Sequence, residues 1–194
     1  MPRRASERCA KGRCPPREIR YDRLIAIFPI AGGPVELDDF DRRLLDALQQ
    51  DSRRTGEQLA TLVGLSPAAC LRRAQRLRET GVIEREIAIV APEAVGRRMT
   101  MVVQVTLERE KPATSDEFQR QMRRAPEVTQ CYNVTGAIDF VLIVSVADME
   151  AYEDFTRRYL FEKHVRRFET MVVIERVKFE TIVPIADGGR ARLG

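Results

Sequence analysis

Histidine is nearly absent from this 194-residue chain: His164 is the only one. The four cysteines, Cys9, Cys14, Cys70 and Cys131, are scattered. Cys9 and Cys14 have no second Cys or His pair nearby, so no metal site of ordinary zinc spacing is encoded. A glycine-rich phosphate loop and a nucleophile motif are also missing, which removes the commonest signatures of enzymes and nucleotide binders. The longest apolar stretch, Leu24–Ala31, is eight residues long and is interrupted by Pro29. That is far too short to cross a membrane. Reduced thiols in a cytoplasmic protein account for the cysteines, with Cys70 expected on a helix and Cys131 in a strand as small buried side chains.

Excess positive charge is missing too, once its location is considered. The net charge is +4, but residues 1–35 hold eight Lys/Arg against three acids. The rest of the chain carries 25 basic and 26 acidic residues, a net of −1. Any affinity for a polyanion must therefore come from local clustering. Residues 66–80 supply a cluster, with Arg72, Arg73, Arg76 and Arg78 against Glu79. The basic start followed by LIAIFPIA has the outline of a secretory leader, but its three acids and Pro29 argue against one. Residues 1–36 read as a basic, disordered extension, and a true translation start near Val35 is an alternative.

What is present is a series of amphipathic segments. Leu37–Asp51 predicts a helix, with Asp38 and Asp39 at the positive dipole end and Phe40, Leu44, Leu45 and Leu48 as an apolar stripe. Thr55–Gly81 predicts two short helices around a tight turn. Leu59, Leu62 and Val63 form the apolar edge of the first, and Gly64 permits the positive φ of a sharp turn. Ser66-Pro67 then caps the second helix, in which Leu71, Ala74 and Leu77 form the inner face. A capped, small-residue, arginine-bearing second helix is the pattern of a DNA recognition helix, although an ordinary hairpin with a solvated arginine face has the same outline. Val82–Val90 is β-prone and fits the strands of a wing.

The second half alternates strands and helices. Strands are expected at Met99–Leu107, Val128–Thr135, Asp139–Val146 and Thr170–Phe179, with helices at Thr114–Ala125 and Met149–Tyr159. That order, βαββαβ, is the ferredoxin-like arrangement. The third strand is apolar on both faces, with Phe140, Leu142, Val144 and Val146 on one and Val141 and Ile143 on the other. Helices on one side of a sheet leave the other face wet, so these residues point to a dimer formed through that face.

The segments LDDFDRRLLDALQQDSRRT, LATLVGLSPAACLRRAQRLRETGVI and NVTGAIDFVLIVSVADMEAY together resemble the Lrp/AsnC (feast/famine, leucine-responsive) transcriptional regulators over residues 37–184. The resemblance implies an α+β chain: a winged helix-turn-helix DNA-binding domain with its linker at 37–98, then a ferredoxin-like effector-binding (RAM) domain at 99–184, and a flexible tail at 185–194. It implies double-stranded DNA as partner, a homodimer assembling to tetramers or octamers, and a cytoplasmic, nucleoid-associated location. No cofactor is implied, only a small-molecule effector, typically an amino acid, held in clefts between neighbouring dimers. The DNA-facing positions it suggests are Ser66, Pro67, Ala69, Arg72, Arg73 and Arg76. The effector turn maps onto Thr135–Phe140, where Gly136 and Asp139 are kept and Ala137 replaces the first aspartate of a G-D-x-D pattern. Tyr132 and Thr170 are further candidates for the same cleft.

Two other readings compete with a ligand-responsive local regulator. One is an architectural protein that wraps DNA through phosphate contacts and deformability. The other is an enzyme resembling the siroheme decarboxylases, which share the two-domain plan. That activity needs histidine and arginines around a tetrapyrrole, and no acid–base constellation surrounds His164 in sequence.

Overall fold

The computed structural model describes residues 35–108 and 113–185, so the expectations for residues 1–34 and for 186–194 lie outside the described residues. The chain divides into two compact units. One takes the residues up to Glu86 together with the segment beginning at Ile182, and the other is Ile87–Thr181. Residues 87–98, grouped with the first domain on sequence, thus fall in the second unit, and 182–185 return to the first.

In the first unit, helix α1 runs Asp39–Gln50. Asp38 is its N-cap: the carboxylate accepts from the Asp41 N–H at 2.8 Å while the Asp41 side chain accepts from the Asp38 N–H at 3.2 Å. Helix α2, Gly56–Val63, opens with a reciprocal box between Thr55 and Gln58 and stops at Gly64 in the left-handed region, φ 82°. Helix α3, Pro67–Glu79, starts from Ser66, whose Oγ accepts from the Ala69 N–H at 3.3 Å, and has proline in its first turn. Each cap satisfies backbone donors that the helix itself leaves orphaned. Leu44, Leu45, Leu48, Leu59, Val63, Cys70, Ala74 and Leu77 close the core between the three helices.

Two inner-face expectations need correction. Leu62 and Leu71 are each more than half exposed, and Cys70 takes the buried place expected of Leu71. On α3 the helical period sets Cys70 in line with both Ala74 and Leu77, whereas Leu71 is rotated away from Leu77 and lies at the flank over Gly56. The wing strands are also absent: residues 82–90 form no strand. Val82 and Ile83 pack on the core, and Ile83 donates to the Leu77 carbonyl at 2.9 Å. Beyond them the segment holds no turn residue with which to fold back on itself, and no described strand lies beside it.

The second unit is a four-stranded antiparallel sheet in the order β2-β3-β1-β4. Its strands are β1 Met99–Leu107, β2 Val128–Asn133, β3 Phe140–Val146 and β4 Val165–Val172, with helices α4 Ala113–Arg124 and α5 Met149–Tyr159. The core joins Met101, Val103, Val105 and Leu107 of β1 to Phe140, Leu142, Val144 and Val146 of β3. Phe118 and Met122 of α4, with Tyr152 and Phe155 of α5, cover them. Full burial of each large apolar side chain contributes about 1.5–3 kcal/mol. The opposite face carries Val102, Val141 and Ile143, all half-buried.

The last strand sits earlier than the apolar pattern of 170–179 suggests. Val172 pairs with Met101, and Val173 donates to the Thr100 carbonyl at 2.9 Å. Beyond Val173 no described residue pairs with β1, and Ile174 is fully exposed. Cys131, expected to be buried, is exposed on the edge strand β2.

Candidate nucleic-acid interface and effector hairpin

Helix α3 presents Ala68, Arg72, Gln75 and Glu79 on the face opposite Cys70, Ala74 and Leu77. These four are exposed, and Gln75 donates to Glu79 at 2.9 Å. Ser66 and Pro67 are exposed at the capped N-terminus and Ala69 is half-buried. Helix N-termini carry unpaired N–H groups and positive dipole character, which suits phosphate.

The arginines do not behave alike. Arg73 Nη1 donates to Asp38 Oδ2 at 2.7 Å and Asp41 Oδ1 at 2.9 Å, while Arg76 Nη2 donates to Asp41 Oδ2 at 2.5 Å. Asp41 is 1% exposed. The Arg73 guanidinium also lies 5.7 Å from the Phe40 ring centroid, a cation–π contact. Hydrogen bonds from Arg73 to Asp38 and then Asp41 raise the arginine's pKa further. The Asp38 carboxyl is lowered, first by the backbone N–H of Asp41, with Arg73 adding to it against the opposing effect of burial. Arg78 pairs with Glu86 at 2.7 Å. Arg72 makes no ion pair or hydrogen bond among the described residues, and its side chain reaches into solvent.

Of the positions suggested as DNA-facing, Ser66, Pro67, Arg72 and Arg76 are exposed. Arg73 and Arg76 are both held by carboxylates at the start of α1, Arg73 half-buried and Arg76 still exposed. Two carboxylates one helical turn apart on α1 meet two guanidiniums one turn apart on α3 and draw them inward. Ala68 and Gln75 were missed by the sequence reading. Their signal was available in the helical period, once Cys70 rather than Leu71 is taken as the buried position.

The hairpin between β2 and β3 brings some of the effector candidates together and separates others. Asp139 anchors it: its Oδ2 accepts from the Leu107 N–H at 2.8 Å, its own N–H donates to the Val105 carbonyl, and its carbonyl accepts from Val134. Gly136, three residues away, is exposed with φ 133°, a conformation that side chains resist. Tyr132 lies opposite Val141 on the open face of the sheet and donates to Gln130 at 3.0 Å. Thr170 lies opposite buried Val103 on the helix-covered face and shares a hydrogen bond with the Tyr152 hydroxyl. Since β2 and β4 are the two outer strands, Tyr132 and Thr170 do not share a cleft within one chain. His164, the only histidine, stands edge-on to Phe118 with its ring Nε2 buried and without a hydrogen-bond partner among the described residues. Between α4 and β2 there is also an open groove of about 290 Å³, bordered by Gln119, Arg123, Cys131 and Asn133, which the sequence reading did not find.

Comparison with known proteins agrees with this two-part plan. Residues 37–78 match the AsnC-type helix-turn-helix domain and residues 100–183 match the Lrp/AsnC ligand binding domain. An uncharacterized HTH-type transcriptional regulator of Sinorhizobium fredii is 53% identical over 152 residues, covering 78% of this chain and 90% of the relative. The chain belongs to the Lrp/AsnC family of transcriptional regulators. The leucine-responsive regulatory protein of Escherichia coli K12 is 34% identical over 144 residues, 74% of this chain and 88% of its own length. Among solved Lrp/AsnC-like structures, a Neisseria meningitidis transcriptional regulator in complex with L-Met superposes with a TM-score of 0.73. It is 30% identical and covers 77% of this chain and 97% of that one. The α+β architecture, helix-turn-helix followed by the βαββαβ domain, is that of an Lrp/AsnC regulator.

Proposed function

We propose that this transcriptional regulator binds double-stranded DNA as a homodimer or higher assembly in the cytoplasm, and that an amino acid controls the binding. The observation that carries the reading is the capped helix α3, packed on one side by Cys70, Ala74 and Leu77 and open on the other at Ala68, Arg72 and Gln75. A helix so placed can enter a major groove, with Arg72 reading guanine bidentately and Gln75 reading adenine. Ser66 and Pro67 at its N-terminus then lie against phosphate. Ala69, Arg73 and Arg76 support the helix from its flank.

The effector enters at the tip formed by Thr135–Ala137, where Gly136 leaves open space and nothing but backbone stands between a ligand and the hairpin. Asp139 has one carboxylate oxygen engaged with Leu107 and keeps the other for an ammonium group. Tyr132 and Thr170, on opposite edges of the sheet, then contribute from different subunits of an assembly. The L-Met complex of the Neisseria regulator supports an amino acid as the ligand class. The apolar open face of the sheet supports the dimer.

Genome-wide occupancy of the tagged protein in its host, with and without amino-acid supplementation, tests this. Sharp peaks that move with one amino acid are expected. Broad occupancy indifferent to every amino acid would establish an architectural role instead.

A further inference from the structure

The arrangement of α1 and α3 bears on how the recognition helix is kept selective, an inference that rests on the DNA-binding reading above. Arg72, Arg73, Arg76 and Arg78 make the 66–80 stretch the basic cluster of the folded part. A basic cluster facing DNA drives binding through release of counterions from phosphates, irrespective of sequence. Three of these four guanidiniums, however, already hold carboxylates: Arg73 holds Asp38 and Asp41, Arg76 holds Asp41, and Arg78 holds Glu86.

The Asp41 carboxylate is engaged through both oxygens. Oδ1 accepts from Arg73, and Oδ2 accepts from Arg76 and from the Asp38 N–H. It is also buried, and a buried carboxylate stripped of its cations is costly to leave behind. DNA phosphates therefore compete poorly for these two arginines, although the side chain of Arg76 is 46% exposed and that of Arg73 27%.

We propose that Asp41, assisted by Asp38, is a positioning residue that occupies Arg73 and Arg76 in the manner of a built-in phosphate. The pair fixes the seat of α3 on α1 and withholds two positive charges from the DNA backbone. Arg72 is left as the arginine of this helix that meets the duplex. The consequence is a lower non-specific affinity and a larger share of binding through base edges.

The test is the salt dependence of binding by the full-length protein, read by fluorescence anisotropy on sonicated heterologous DNA. Each phosphate neutralised adds about 0.9 to the slope of log affinity against log salt. In Asp41→Asn the charge that holds Arg76 is gone, and the slope is expected to steepen by about 0.9 for each recognition helix engaged. Asp38→Asn combined with Asp41→Asn also frees Arg73 and is expected to steepen it by about 1.8 for each recognition helix engaged. Asn remains a good N-cap at position 38, so α1 keeps its start. Asp41→Glu, which keeps the charge, is expected to stay at the wild-type slope. Arg76→Gln provides a reading that does not depend on the aspartate variants folding, and its slope is expected to be unchanged. A slope shallower by about 0.9 for each recognition helix engaged in Arg76→Gln would place that arginine on a phosphate and overturn the proposal while leaving DNA binding intact. An unchanged slope in folded Asp41→Asn, verified by circular dichroism, overturns it as well. If the wild-type protein binds neither this DNA nor fragments of its own genome at any salt concentration, the DNA-binding reading falls and the proposal with it.

Discussion

At the scale of single residues, chemically similar side chains have been given different tasks by what stands next to them. Arg72 and Arg73 are adjacent, yet Arg73 is fastened to two carboxylates while Arg72 faces solvent. Arg72→Ala is expected to weaken binding to the mapped operators by about 1–3 kcal/mol and to relax the preference at one base position. Titration against a set of operator variants measures this, and equal losses on all sequences would make Arg72 a phosphate contact instead. Asp38 has a consequence in acid. Its carboxyl is held below the usual value by the Asp41 N–H and then Arg73, so the folded state binds that proton less readily than the unfolded chain. The stabilisation is therefore complete above the ordinary carboxylate pKa and is lost as pH falls through the lowered value. Urea unfolding across the acid range should show a shallower pH dependence in Asp38→Asn than in wild type. Identical profiles would mean the carboxylate gains nothing on folding. Asp139 differs again, since its carboxylate joins the hairpin to the end of β1. Asp139→Ala leaves the Leu107 N–H without that acceptor and is expected to cost about 1–3 kcal/mol of stability in addition to any loss of ligand response.

At the scale of elements, caps and breaks decide where each helix lies. Gly64 holds φ 82° at the end of α2 with no atom near the place a Cβ would occupy, so the obstacle to a side chain there is conformation and not space. Gly64→Ala is expected to destabilise the chain by about 1 kcal/mol, seen as a lowered urea midpoint, because alanine must enter the left-handed region. These features were legible in the amino-acid order: Asp38, Thr55, Ser66-Pro67 and Gly64 announce the three helices, and alternation announces β1 and β3. The misplacements have physical causes. Leu71 looks like core because it is leucine, but the helical period puts Cys70 inward. The apolar pattern favours TMVVIERVKF for β4, whereas pairing with β1 selects VRRFETMV, a shorter segment with the same number of charges that reaches the sheet from the end of α5. Residues 82–90 have β-prone composition without a partner, and composition does not supply one. The α1–α3 ion pairs were half legible, since paired acids and paired arginines at matching spacing are visible in sequence, but their juxtaposition depends on how the helices cross.

At the scale of the whole molecule, the unpartnered surfaces ask for a second chain. One face of the sheet is covered by α4 and α5, and the other displays Val102 directly across from Ile143, flanked by Val141. A monomer would leave these apolar side chains against water, which is unfavourable by roughly 25 cal/mol for each Å². A two-fold pairing of sheets buries the same residues on both copies at once, and it would also present two α3 helices for the two half-sites of a DNA operator. Ile143→Lys sets a like charge against its symmetry mate and desolvates it at the centre of that face. Light scattering is expected to show the variant moving from a multiple of the chain mass toward the single-chain value of 22.2 kDa, with far-UV circular dichroism unchanged. Operator affinity is expected to fall with it, because one recognition helix then binds without the other. A folded variant with the wild-type mass would move the assembly interface away from the open sheet face. The exposed residues of 173–183, Ile174, Val177 and Phe179 among them, would then be the apolar surface left to join the copies.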